Sequence, residues 1–149
     1  MNILKNEKGF TLIELVLIIV ILGILAAVAT VQFGTIFTEA KDAAIDGAFS
    51  QFNTQVAIAI SKNKALPTSA VAGTFSTDVH ALVTLTGSGV MKGAYTGGVG
   101  TGTFGICAGG TTTCDGTATG CSVSGNRVAL VTYTEATGAL SMAPKLDCS

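Results

Sequence analysis

Few residues in this sequence could carry chemistry, and their spacing argues against most of it. Four cysteines, Cys107, Cys114, Cys121 and Cys148, all fall in the last third of the chain, spaced C-x6-C-x6-C with 26 residues before the last. Zinc centres favour C-x2-4-C pairs or a nearby histidine, and the one histidine, His80, lies far upstream. An even cysteine count behind an export-type N-terminus reads better as two disulfides in an oxidising compartment. Three pairings are open; one that ties Cys148 to Cys107 or Cys121 would secure the end of the chain. Asp115, inside the Cys114–Cys121 interval, is a lone carboxylate where calcium needs six or more oxygens, so neither metal nor cofactor is expected. His80 reads as a structural or surface histidine. No G-x-S-x-G elbow accompanies it, and Gly97-Gly98-Val99-Gly100 lacks the Lys-Ser of a phosphate loop. Nothing here makes an enzyme.

One chemical group remains, the Glu14 carboxylate, and its setting is apolar. A polar start with Lys5 and Lys8 leads through Gly9 and Phe10 into a run from Thr11 to Val31, relieved only by Glu14, Gly23 and Thr30. Those 21 residues make a helix of about 31 Å, the hydrocarbon thickness of a bilayer. The lysines in front predict a cytoplasmic N-terminus and an exported C-terminus. Ala27-Val28-Ala29 offers a conventional signal-cleavage site, and an uncut anchor is a second reading. A carboxylate so near the start of the run costs insertion energy and benefits neither. Cleavage between Gly9 and Phe10 would instead create an α-amino group. A neighbouring helix staggered along the axis could then present its own amine to Glu14, making the carboxylate a register device between identical helices.

The stretch Lys8-Gly9-Phe10-Thr11-Leu12-Ile13-Glu14-Leu15 and the apolar run behind it resemble the N-terminal signature of type IV pilins and their pseudopilin relatives. The resemblance covers about the first 33 residues. It implies cleavage after Gly9 by a prepilin peptidase, N-methylation of Phe10, and a role for Glu14 in neutralising a neighbour's terminal amine during assembly. It further implies an inner-membrane precursor that pilus assembly machinery draws into an extracellular filament of identical copies. Such filaments serve adhesion, twitching motility or DNA uptake. Val31 stands where many members carry a proline, so the amide donor that proline would remove is retained. A pseudopilin of a type II secretion system is the alternative within the family. A secreted, disulfide-bonded binding module released by cutting near Ala29 is the alternative outside it.

The helix should continue past the apolar run, since no proline occurs between Phe33 and Ile60. Glu39, Asp42, Asp46 and Asn53 gather on one side. Phe33, Phe37, Ala40, Ala44 and Ala48 form another side, continued by Phe52, Val56 and Ala59, and the phenylalanines read as core. One helix from about Thr11 to Ile60 is expected, closed by Leu66-Pro67. Beyond it, alternation and turn residues predict strands at 81–86, 90–95, 103–107, 127–134 and 139–142, with a hairpin turn at 135–138. The fold class is therefore α+β: a long N-terminal helix packed on a small antiparallel sheet. Its expected parts are a leader (1–9), an apolar helix (10–33), an amphipathic continuation (34–66) and a β-rich head tied by disulfides (67–149). Net charge is -1 and charged residues make up 11%, well under the roughly 25% of soluble proteins. That balance gives no electrostatic footprint for nucleic acid.

Overall fold

One helix, α1, runs from Leu12–Asn63. The computed structural model describes residues 9–70, 73–85, 89–109 and 126–148; the leader residues 1–8, Cys114, Asp115 and Cys121 lie outside them. The chain divides into two compact units, Met1–Phe37 and Thr38–Ser149.

In the first unit α1 carries no charged residue between Glu14 and Glu39. Its hydroxyls are satisfied locally: Thr30 donates to the Ala27 carbonyl at 3.0 Å and Thr35 to the Gln32 carbonyl at 2.9 Å. Such back-bonding lets threonine sit in an apolar helix without an orphaned hydroxyl. The helix passes Val31 unbroken, as expected where a backbone donor replaces proline.

In the second unit the remainder of α1 buries Ile45, Ala48, Phe52, Val56 and Ala59. Steps of three and four keep them on one face. That face packs against an antiparallel sheet of β1 (Val90–Lys92), β2 (Thr96–Gly97), β3 (Thr101–Ala108), β4 (Arg127–Thr134), β5 (Ala139–Met142) and β6 (Leu146–Asp147). β3 and β4 pair over eight residues at the centre, from Thr101 opposite Thr134 to Ala108 opposite Arg127. β1 and β2 follow one another along the free edge of β3, and β5 and β6 along that of β4. Period-two alternation sends Phe104, Ile106 and Ala108 of β3, and Ala129, Val131 and Tyr133 of β4, into the core with α1. Cys107 and Val128 have the opposite parity and form a separate buried cluster with Cys148.

The helix ends with Lys64 in the left-handed region, φ 52°, the conformation that commonly closes a helix. The linker that follows is tied to the sheet by side chains. Tyr133 donates its hydroxyl to the Pro67 carbonyl (2.6 Å) and Tyr95 to the Ser69 carbonyl (2.7 Å). The Ser69 amide and hydroxyl both donate to Glu135 Oε2, at 3.0 and 2.7 Å.

Several expectations hold and some need correction. The strands at 127–134 and 139–142 have the expected bounds, and β3 is longer than expected at both ends. The described part of 81–86 is not a strand. A π-helical segment, Phe75–His80, precedes it, and the Ala81 and Val83 amides donate back to Ser76 and Val79. Lys92 then donates to the carbonyls of His80, Ala81 and Val83, engaging them outside any sheet ladder. β1 (Val90–Lys92) covers only the first half of the expected 90–95, and the Gly93 amide still donates to the Gly105 carbonyl of β3 at 2.8 Å. Phe33 and Phe37 are not core: both are over half exposed, whereas Phe52 is fully buried. Both belong to the first compact unit, Met1–Phe37.

Candidate functional site

Among its described residues the first unit presents an apolar surface with one carboxylate, Glu14, near the start of α1. Eighteen large hydrophobic side chains from Phe10 to Phe37 are between 45% and 81% exposed. Covering one such side chain completely contributes about 1.5–3 kcal/mol, so the set represents on the order of tens of kcal/mol. Leaving that surface in water would forgo this stabilisation. α1 is the described helix long and apolar enough to cross a membrane.

Glu14 is engaged within its own chain. The Thr11 amide donates to Glu14 Oε2 at 2.9 Å and the Thr11 hydroxyl to the same oxygen at 2.8 Å, while the Glu14 amide donates to Thr11 Oγ1 at 3.4 Å. This is a reciprocal capping box at the N-terminus of α1. It corrects the expectation that a plain anchor gains nothing from Glu14, because the carboxylate satisfies an amide that the helix leaves unpaired. Sequence reasoning passed over Thr11, yet the signal was present: T-x-x-E immediately before an apolar run. Gly9 and Phe10 lie just ahead of the helix, both exposed.

The second unit holds its charges in internal ties. Arg127 meets Asp42 of α1 through two parallel bonds, Nε to Oδ1 at 2.8 Å and Nη2 to Oδ2 at 2.9 Å. Its Nη1 reaches Asp147 of β6 at 2.9 Å. Lys145 meets Asp46, one turn along α1 from Asp42, at 2.6 Å. Bonds to Arg127 hold the Asp42 carboxyl below its usual range, and those to Asp42 and Asp147 raise the guanidinium further above its own. The acidic side of α1 thus faces the C-terminal segment at Asp42 and Asp46. Cys107 and Cys148 are both disulfide-bonded and buried. Cys114 and Cys121 lie outside the described residues. Among the described residues no three His, Cys, Asp or Glu side chains gather into a cation site.

The class of molecule these features define is a two-part α+β subunit, with an uncovered apolar helix leading into a globular unit bound together by its own side chains. Residues 4–30 match the model of the prokaryotic N-terminal methylation motif. Over 63 residues the chain is 43% identical to the type IV narrow pilus major component PilA5 of Thermus thermophilus, a match covering 42% of this chain and 54% of that protein. The match therefore spans about half of the relative's length. No solved structure matches the chain. The N-terminal signature and this relative both support a type IV pilin family for the chain.

Proposed function

We propose that this chain is a structural, non-catalytic subunit of a type IV pilus-like filament. It is held in the inner membrane by its apolar helix, cut after Gly9, N-methylated at Phe10, and drawn into an extracellular polymer of its own copies. The observation that carries this reading is the uncovered apolar stretch of α1 with a lone carboxylate at its head. Lipid covers such a helix before assembly and copies of the same helix cover it afterwards. In the polymer, Glu14 pairs with the Phe10 amine of a neighbour. Thr11 supports this role by holding the carboxylate at the start of the helix, where an approaching cation adds to bonds that fall on one oxygen.

Mass spectrometry of the mature N-terminus tests the reading. It calls for a chain that begins at N-methyl-Phe10. A chain that begins near Thr30, released as a monomer without the apolar helix, would overturn it. Glu14→Ala separates assembly from anchoring: membrane insertion and cleavage should proceed, while polymerisation should fall sharply. Filaments as long and abundant as wild type would show that no charge pair is needed.

A further inference from the structure

His80 is the only histidine in the chain, and it closes the π-helical segment inside the globular unit. Its ring lies 5.9 Å from Phe52 of α1, nearly parallel, 5.7 Å from Tyr95, and 5.0 Å edge-on from Phe104 of β3. The Nε2 atom sits 3.0 Å from the Gly93 carbonyl. A carbonyl can only accept, so Nε2 carries the hydrogen and the neutral ring leaves Nδ1 as its basic nitrogen. The His80 carbonyl in turn accepts from the Lys92 ammonium, which also bonds the Val83 carbonyl at 2.6 Å. One cation therefore already serves the C-terminal end of this segment, where helical carbonyls lack partners.

The charged and titratable groups facing His80 can be named element by element. α1 carries no charge from Gly47 to Ser61, and the single ionisable side chain of β3, Cys107, is disulfide-bonded. β1 contributes Lys92. Tyr95 contributes a phenol whose hydroxyl is committed to the Ser69 carbonyl. On its own segment, Asp78 directs its carboxylate to Asn63 at 2.8 Å and to Thr77 at 3.2 Å. Among the described residues no carboxylate is bonded to the ring.

We propose that His80 is an acid-sensitive latch: proton uptake at Nδ1 places a second cation beside Lys92 in an aromatic box, and the segment Phe75–His80 releases from the sheet. Aromatic faces offset part of an imidazolium's cost, but they do not cancel the repulsion from Lys92. Burial and the Lys92 charge both push the imidazole below its ordinary value, with the Gly93 bond pulling the other way. For a depressed histidine the stabilisation is complete above the unfolded value of about 6.5 and is lost as pH falls toward the folded value. The latch acts in the globular unit and does not depend on what the apolar helix does.

The test uses the full chain in detergent micelles and the one imidazole signal in its NMR spectrum. The midpoint should fall below about 6.5, and Lys92→Met should move it upward. Amide protection at Ala81 and Val83 should drop between about pH 7.5 and pH 5. The full loss is about tenfold for each unit separating the two midpoints. Protection within β3 and β4 should stay unchanged. His80→Phe, or His80→Gln should the phenylalanine variant fail to fold, should abolish the drop. A wild-type midpoint at or above about 6.5, or an acid-induced loss of equal size in the histidine-free variant, overturns the proposal.

Discussion

Replacing Gly102 with alanine should destabilise the globular unit, although strand propensity alone predicts the reverse. Glycine within a strand is worse than alanine by about 0.5–1 kcal/mol, so the exchange would ordinarily be neutral or helpful. Gly102 lies in β3 opposite Gly97 of β2, and the Tyr95 ring rests on both. A Cβ on Gly102 would overlap the ring and hydroxyl of Tyr95, and one on Gly97 would overlap the Ser69 carbonyl oxygen. Tyr95 cannot simply tip outward, because it is buried and its hydroxyl holds the linker at Ser69. Overpacking costs about 1–3 kcal/mol, and loss of the tyrosine hydrogen bond adds about 0.5–1.5 kcal/mol. After the propensity gain is subtracted, Gly102→Ala should cost about 1–3 kcal/mol. In a unit of this size that lowers Tm by about 4–12 °C.

Thermal unfolding of the full chain in micelles, followed by near-ultraviolet circular dichroism, measures the loss. A second comparison isolates its cause. In a Tyr95→Ala background there is no ring to strike, so adding Gly102→Ala should cost nothing further and should recover the propensity gain. A single variant that melts at or above wild type would refute the reasoning. So would an equal penalty with and without the tyrosine, since the cost would then come from the strand and not from the ring.

Other consequences are accessible to simpler measurements. Asp42→Asn removes the two-bond partner of Arg127 and should lower stability by about 1 kcal/mol at neutral pH. Because the Asp42 carboxyl is held low in the folded state, its contribution is present above the unfolded carboxylate value and lost as pH falls below it. The variant should therefore lose less stability than wild type on acidification below about pH 4. Of the two tyrosines, Tyr95 should ionise last, since burial, then the Tyr133 and Glu135 charges, push its phenol up to about 12. Stability tied to Tyr95 is present below its unfolded value near 10 and lost as pH rises through about 12. A phenolate absorbance titration showing both tyrosines ionising near 10 would contradict their burial. Ser69→Ala removes one of the two donors to Glu135 and should loosen the linker, read as faster exchange of the residue-69 amide than in wild type.

How much of this was legible in the sequence depended on whether a residue's role was local. The long helix, the central strand 127–134 and the hairpin after it follow from periodicity and turn residues, which neighbours in the chain determine. The apolar run and the residues about Glu14 were legible because they lie within one short segment. Thr11 is equally local, its T-x-x-E spacing to Glu14 being a capping-box pattern, but the same carboxylate also suits a partner on another chain, and spacing does not choose between the two. The segment 81–86 was misread for a different reason. Its alternating pattern is genuine, but Lys92, ten residues on, claims the carbonyls that a strand would have used. Phe33 and Phe37 share helical spacing with Phe52, and periodicity cannot say where along a helix the sheet begins. No spacing rule joins Asp42 to Arg127, which are 85 residues apart.

That long-range pairing also explains how so sparsely charged a chain uses its charges. The core of α1, β3, β4 and the π-helical segment is held by burial, with Phe52, Phe75, Phe104 and Tyr133 wholly enclosed. The peripheral pieces have no such support. β6 consists of Leu146 and Asp147, both exposed, joined to β4 by two residue pairs. Apolar burial cannot fix a strand with so little to bury. Arg127 and Lys145 fasten this stretch to consecutive turns of α1, and the disulfide-bonded Cys148 ends it in a buried position. The same division recurs elsewhere. Glu135 fixes the linker through Ser69, Lys92 fixes the π-helical segment, and Asn63 and Gln55 fasten that segment to α1 through Asp78. At β6, ionic ties thus occur where the chain is too thin to bury itself, while in the π-helical segment they add to the burial of Phe75 and Val79. Conditions that neutralise the ties at Arg127 and Lys145 should therefore detach the C-terminal segment before they disturb the helix–sheet core.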